Sequence, residues 1–145
     1  MIKLNFPDFE FKLKKIDNKT FIFDFVRKKY ILLTPEEWVR QHVLNFLIIK
    51  NIPLTHIAIE KKILINNLNK RFDIVIFNSK GDVKMLIECK SPSIKLTQNV
   101  FDQISVYNMK LNSKFCMITN GLDHLYFKID QLSKKYIFVK DFPLI

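Results

Sequence analysis

The sequence at the centre of the chain reads RFDIVIF over residues 71–77 and VKMLIECK over residues 83–90. Both runs are dense in Ile, Val, Leu and Phe, which predicts two strands that are buried on both faces of a sheet. A polar segment, residues 79–82, lies between them and favours a turn. We therefore expect the two strands to pair as an antiparallel hairpin.

This hairpin would bring charged side chains to one place. In the simplest register Asn78 faces Val83. Asp73 then faces Glu88, and the roots of directly opposed side chains are about 5 Å apart. Lys90 lies two residues beyond Glu88 and shares its face. Two opposed carboxylates repel unless a cation lies between them, and hard oxygen ligands favour Mg²⁺ or Mn²⁺. The pattern therefore predicts a phosphodiester-cleaving site, with the Lys90 ammonium orienting water or stabilising phosphate charge.

A simpler interpretation of the same charges stays open at this point. Asp73 could pair with Arg71 or with Lys90 on a solvated sheet face, as charged residues on strands usually do. The apolar residues around them nevertheless imply burial, and a buried charged cluster requires a compensating partner.

The segments on either side of the hairpin predict two helices. The first is expected to begin with Thr34 as its N-cap, and Glu37 would complete a capping box. Pro35 suits its first position, and the helix should run to about Lys50. The second helix is expected over residues 97–111. Its buried stripe would consist of Val100, Ile104, Tyr107 and Leu111.

Further strands would complete an α/β fold, a mixed sheet flanked by helices with an αβββαβ core. They are expected within residues 55–66 and over residues 115–119, 125–129 and 136–139. The alternation of Phe21, Phe23 and Phe25 predicts a short strand before the first helix. We interpret residues 1–33 as an N-terminal extension packed on the core of one domain that spans residues 1–145.

Composition narrows the classes of function. The chain has 145 residues, is 48% hydrophobic and contains only two Gly, so it has no glycine-rich nucleotide-binding loop. Cys89 and Cys116 lack the spacing of a zinc site and are expected to be buried thiols.

The sequence shows no membrane-spanning run and no signal peptide, so a cytoplasmic location is expected. The net charge of +10 favours a nucleic-acid partner, although biased base composition can also produce it.

Three further side chains are candidates for substrate contacts. Gln103 and Tyr107 are four residues apart and share a helix face. They could be a surface glutamine beside a core tyrosine, or a polar pair that reaches a substrate phosphate. Arg40 could likewise bind phosphate or remain a solvated charge. Trp38 is better explained as a core residue than as a base-stacking one.

Five separated motifs together resemble a known family. They are TPEEWVRQ (34–41), RFDIV (71–75), IECKSP (87–92), FDQISVYN (101–108) and ITNG (118–121). In this order and spacing, over roughly residues 25–130, they look like the nuclease domain at the N-terminus of type I restriction enzyme R subunits, in a compact stand-alone form. That domain belongs to the PD-(D/E)xK phosphodiesterase superfamily. The resemblance therefore implies a restriction-endonuclease-like fold and nuclease chemistry.

The resemblance also implies roles for individual residues. Asp73 and Glu88 would bind the metal, and Lys90 would be the catalytic lysine. Gln103 and Tyr107 match the QxxxY motif of RecB-like nucleases.

A glutamate of the first helix often completes the metal shell in this superfamily. Glu36 and Glu37 compete for that role, because Glu37 also suits the capping box. Phe72 stands where the motif has a proline, which removes no ligand.

The implied function is a Mg²⁺- or Mn²⁺-dependent DNA endonuclease or exonuclease domain. The translocase that follows this domain in the full subunit is absent from the sequence. A homodimer or a partner restriction or helicase subunit is therefore also considered. The alternative is a catalytically silent DNA- or protein-binding module of the same fold.

Overall fold

The computed structural model describes residues 1–65, 67–111, 115–130 and 132–145. Within these ranges the α-helices are α1 (Pro35–Ile49) and α2 (Gln98–Leu111). The strands are β1 (Leu13–Ile16), β2 (Lys19–Asp24), β3 (Lys29–Leu32), β4 (Ile57–Ile65), β5 (Leu68–Phe77), β6 (Val83–Cys89), β7 (Phe115–Thr119), β8 (His124–Asp130) and β9 (Lys135–Val139). As predicted, Thr34 caps α1, and its hydroxyl accepts a hydrogen bond from the backbone N–H of Glu37 (3.1 Å).

The main sheet of the described chain has the strand order β4-β5-β6-β7-β8-β9. β6 and β7 run parallel, whereas the other neighbouring strands are antiparallel. A parallel pair needs a crossover connection, which α2 supplies. The predicted α/β class and the αβββαβ order are therefore confirmed, with β8 and β9 extending the sheet. Neither helix in the described ranges is long and apolar enough to cross a lipid bilayer.

The two helices pack on opposite faces of this sheet. On one face of the sheet, α1 packs against Ile74, Ile87 and Met117 through Val39, Val43, Leu44 and Leu47. On the opposite face, Phe101 of α2 packs against the sheet residues Phe72, Val75, Leu86 and Phe127. Burial on both faces explains why the central strands read as continuous apolar runs. Cys89 and Cys116 are buried free thiols, as predicted.

The buried face of α2 differs from the predicted stripe. Phe101 and Ser105 are buried, whereas Val100 and Ile104 are only half-buried. The side chains of Tyr107 and Leu111 lie outside the described part of the structure. The helix is rotated because the Phe101 ring packs edge-on against two aromatic rings of the sheet, with centroids 4.9 Å from Phe127 and 5.1 Å from Tyr136.

The N-terminal region contains more strand than the sequence predicts. β1, β2 and β3 form a separate antiparallel sheet in that order. The Phe alternation marks only β2, and Phe25 lies past its end. Tyr30 belongs to β3. β1 and β3 were missed because each has four residues and mixes lysine with apolar residues, without a sustained alternation.

The central hairpin has the predicted register except beside its turn. Ile74 pairs with Ile87, and this register continues to Ile76. It then shifts, so that Val83 pairs with Phe77 rather than with Asn78. An irregularity of one residue is a β-bulge, which hydrophobic patterning does not reveal.

Candidate active site

Asp73 and Glu88 lie one step beyond the Ile74–Ile87 pair, on adjacent strands of the main sheet. The Oδ2 atom of Asp73 accepts a hydrogen bond from the backbone N–H of Cys89 (2.7 Å), which fixes this carboxylate against β6. The carboxyl groups of Asp73 and Glu88 are close enough for a hydrogen bond between them to contribute to the pKa of Glu88, and the charge of Lys90 also acts on it. The structure therefore brings the three predicted residues together.

The Glu88 carboxyl group is in an unfavourable position for an anion. The residue is only 8% exposed, and its Oε1 atom has no hydrogen-bond partner among the described residues. Burial, followed by the negative charge of Asp73, raises the pKa of Glu88 to about 8. A buried carboxyl group with a free oxygen beside a second carboxylate fits a hard cation, which would balance the charge and use the free oxygen.

The two candidate glutamates of α1 have different surroundings. The Glu37 carboxylate is buried and accepts hydrogen bonds from the side chains of Arg27, Arg40 and Gln41. The Glu36 side chain is 47% exposed. Burial and the charge of Asp73 raise the pKa of Glu36.

The charge of Lys90 acts on Glu36 in the opposite direction and lowers its pKa. Glu36 therefore lies within the electrostatic reach of both Asp73 and Lys90. Of the two glutamates, it is the more exposed, and its described ion pair is with Arg40 alone.

Arg40 supplies a positive charge to these acids from within the protein. Its Nη2 atom lies 2.9 Å from Asp73 Oδ1 and 3.2 Å from Glu36 Oε1, and Nη1 contacts Glu37. Burial lowers the pKa of Arg40, but the charges of Glu37 and Asp73 outweigh this effect, and the net pKa is raised. The guanidinium therefore stays charged. Among the described residues, no three His, Cys, Asp or Glu side chains are already arranged as a metal cluster.

A buried ion network behind Arg40 was missed by sequence reasoning. Asp24 is fully buried, and its Oδ2 accepts hydrogen bonds from Arg27 Nε (2.8 Å) and Gln41 Nε2 (2.8 Å). Arg27 also bonds to Glu37, so the network runs from the small sheet to the acids of the site. The spacing of Glu37 and Gln41, at i and i+4 on one helix, was the available signal. The participation of Asp24 is a long-range contact that no local pattern marks.

The loop after β6 positions Lys90 and the residues that follow it. The backbone N–H of Lys90 donates to the carbonyl of Thr119 (2.8 Å), and the side chain of Asn120 donates to the carbonyl of Ile94 (2.8 Å). Gln103 is exposed on α2, and the side chain of Tyr107 lies outside the described residues. A substrate role for this polar pair therefore stays a prediction.

One comparison with known proteins identifies a family for this chain. A family model described as Type I restriction enzyme R protein N terminus (HSDR_N) matches residues 35–143. No curated protein and no solved structure matches the chain. The matched segment starts at the first residue of α1, extends past β9 and includes Asp73, Glu88 and Lys90. The chain therefore belongs to the family of type I restriction enzyme R protein N termini.

Proposed function

We propose that this chain is a Mg²⁺-dependent DNA nuclease domain of the PD-(D/E)xK superfamily that hydrolyses phosphodiester bonds. Its family, named after a restriction enzyme protein, supports a nuclease-like domain. The observation that carries the proposal is the buried Glu88 carboxyl group, whose Oε1 atom lacks a partner among the described residues while Asp73 lies beside it. A divalent cation is the partner that such a pair of carboxylates favours.

Three carboxylates are proposed to hold the ion: Asp73, Glu88 and Glu36. The bound ion would supply Lewis-acid stabilisation of the phosphate and would activate a water molecule. Asp73 is oriented before any ligand binds, because the Cys89 N–H holds one of its oxygens and Arg40 holds the other. Such preorganisation lowers the cost of assembling the site.

Lys90 is proposed to act on the reacting groups directly. Its side chain is half-buried, and its charge acts on both Glu36 and Glu88. From this position the ammonium can donate to the attacking water or to a phosphate oxygen, and so stabilise negative charge that develops during cleavage. Arg40 is proposed as a second phosphate contact, since it lies at the same acids.

The first test is cleavage of supercoiled plasmid and linear DNA in the presence of Mg²⁺ or Mn²⁺. We expect Lys90→Ala to lower the rate by at least about 100-fold, the size of effect seen when one group that stabilises developing charge is removed. Lys84→Ala is the matched control, because Lys84 is a half-buried lysine of β6, the strand that Lys90 directly follows. If the two variants cleave equally well, Lys90 has no part in the reaction.

A catalytically silent DNA- or protein-binding module is the second candidate, and Arg40 is the observation that favours it. The guanidinium already neutralises Asp73 and Glu36, so the acids have a cation without a metal. Under this alternative the wild-type protein would bind DNA in Mg²⁺ and leave every substrate intact. DNA as the substrate, a restriction or helicase subunit as a partner, a homodimer and a cytoplasmic location all remain predictions.

A further inference from the structure

The N-terminal sheet β1-β2-β3 has two different faces. Ile22 and Asp24, on its inner face, are both fully buried. The opposite face, called here the outer face, is formed by cross-strand neighbours: Lys14 opposite Phe21, Phe21 opposite Leu32, and Phe23 opposite Tyr30. The outer face therefore combines lysines with aromatic rings, as Lys12, Lys14, Lys19, Phe21, Phe23 and Tyr30.

The rings of the outer face are not part of either described hydrophobic core. Phe21, Phe23 and Tyr30 are half-buried, and none of them packs against the two core clusters of the described residues. Phe23 and Tyr30 contact each other edge-on, with centroids 5.2 Å apart. The lysines of this face are exposed. A row of partly exposed rings on a sheet, outside both core clusters of the described residues, is a surface available to a ligand.

The charge of the outer face selects an anionic ligand. Among the described strands β1, β2 and β3 the single acidic residue is Asp24, which lies on the inner face. Two ammonium groups lie over rings, Lys14 Nζ at 3.9 Å from the Tyr30 centroid and Lys12 Nζ at 5.7 Å from that of Phe23. The whole chain adds a net charge of +10. Lysines interleaved with aromatic rings fit a ligand that offers phosphates and flat bases together.

We infer that the outer face binds single-stranded nucleic acid, with bases stacked on Phe23 and Tyr30 and with phosphates held by Lys12 and Lys14. Duplex DNA fits less well, since its bases are stacked within the helix and their faces are hidden. A cation–π contact at the protein surface is weak, so a base can displace Lys14 from Tyr30 while the freed ammonium pairs with a phosphate. This face lies outside the segment matched by the family model and does not require the proposed cleavage.

The test is fluorescence anisotropy in EDTA, which prevents cleavage, using a labelled thymidine oligonucleotide of about 15 residues. An abasic oligomer of the same length offers the same phosphates without bases, and a duplex of the same length hides its bases. We expect the thymidine strand to bind about tenfold more tightly than either. Tyr30→Ala should reduce that advantage, because one of the two stacking rings is lost, and should leave the abasic affinity unchanged.

Two further variants distinguish the contribution of the lysine charges to binding from that of base stacking, and both from the effect of losing any exposed ring. Lys12→Ala combined with Lys14→Ala should reduce the slope of log K against log salt by about 1.4, since each phosphate contact on a single strand contributes about 0.7. Phe138→Ala is the aromatic control, because Phe138 is 56% exposed on β9. Circular dichroism would establish that each variant is folded.

Three results would overturn the inference. One is equal affinity for the thymidine strand, the abasic oligomer and the duplex, which indicates binding by charge alone. Another is an equal loss of affinity in Tyr30→Ala and Phe138→Ala. The third is an unchanged salt slope after both lysines are replaced. Absence of cleavage by the wild type, together with normal strand binding in EDTA, would overturn the nuclease proposal and leave this inference standing, so the two proposals fail separately.

Discussion

Glu88 shows at the level of one residue how packing can hold an ionisable group where its charged form is unfavourable. It lies in β6 between Ile87 and Cys89, and both neighbours are buried in the core under α1. Its backbone position is therefore fixed by packing, and its carboxyl group must remain near Asp73. Burial and the charge of Asp73 raise the pKa of Glu88, so the ionised form is disfavoured at this position.

We predict that Glu88→Gln stabilises the metal-free protein above neutral pH. The pKa of Glu88 is about 8 in the folded state, whereas the ordinary value of about 4.5 applies to the unfolded chain. The folded protein therefore holds this proton more tightly. The contribution of protonated Glu88 to the stability of the wild type should therefore be fully present below about pH 4.5, and it should be lost as the pH rises toward 8. The loss should be on the order of a few kcal/mol, since one pKa unit corresponds to about 1.4 kcal/mol.

The measurement is denaturant unfolding in EDTA between pH 5 and 9 (approximate limits of the window). Glu88→Gln should show a flatter pH dependence than the wild type. Glu10→Gln, at an exposed position, serves as the control and should follow the wild-type curve. Parallel curves for Glu88→Gln and the wild type would mean that folding does not raise the pKa of this carboxyl group.

Among the elements, local signals predicted well where the sequence carries a long pattern. Thr34 and Pro35 specify the start of α1, and the apolar runs around residues 71–90 specify the central hairpin. Where structure depends on contacts between distant residues, prediction failed. The rotation of α2 follows from Phe101 meeting rings of β8 and β9, and the Asp24–Arg27–Glu37 network joins elements that share no periodicity. The acids of the candidate site were found from sequence because adjacent strands supply them.

The turn between β7 and β8 allows a sharp test at the element level. Gly121 has φ +87°, and a Cβ atom there would lie 2.8 Å from a methyl group of Leu4 and 3.1 Å from one of Val39. Gly81 has a similar φ of +86° but open space around it. Both alanine variants share the backbone strain of about 1–2 kcal/mol. Gly121→Ala should lose roughly 1–3 kcal/mol more, because it also overpacks the core.

The measurement is the free energy of unfolding of both variants in urea. A double variant tests whether the clash with Leu4 causes the added loss, because Leu4→Ala removes the two Leu4 methyl groups that lie nearest the new Cβ. The added loss caused by Gly121→Ala should shrink in the Leu4→Ala background. Equal losses for Gly81→Ala and Gly121→Ala would mean that the N-terminal segment does not pack tightly on this turn.

At the scale of the whole molecule, α1 connects the candidate site with the small sheet. Arg40 lies at Asp73, whereas Gln41 reaches Asp24 behind the small sheet. The small sheet is therefore attached to the candidate site through buried polar contacts, and its outer face remains free for a ligand. Because buried polar contacts fix orientation, a strand held on the outer face would have a defined position relative to Lys90.

The last prediction concerns the stability of the whole protein in the presence of a metal. Mn²⁺ that binds only the folded state should raise the Tm. A concentration of about 100 times the Kd adds about 2.7 kcal/mol, or roughly 8 °C for a chain of this length. Asp73→Asn should abolish the shift. Asp102→Asn, which alters an exposed carboxylate of α2, should keep it, and so should Lys90→Ala. Arg40 competes for Asp73, so an absent shift in the wild type would mean that the guanidinium is the permanent counter-ion. That result would favour the silent binding module over the nuclease, whatever the outer face binds.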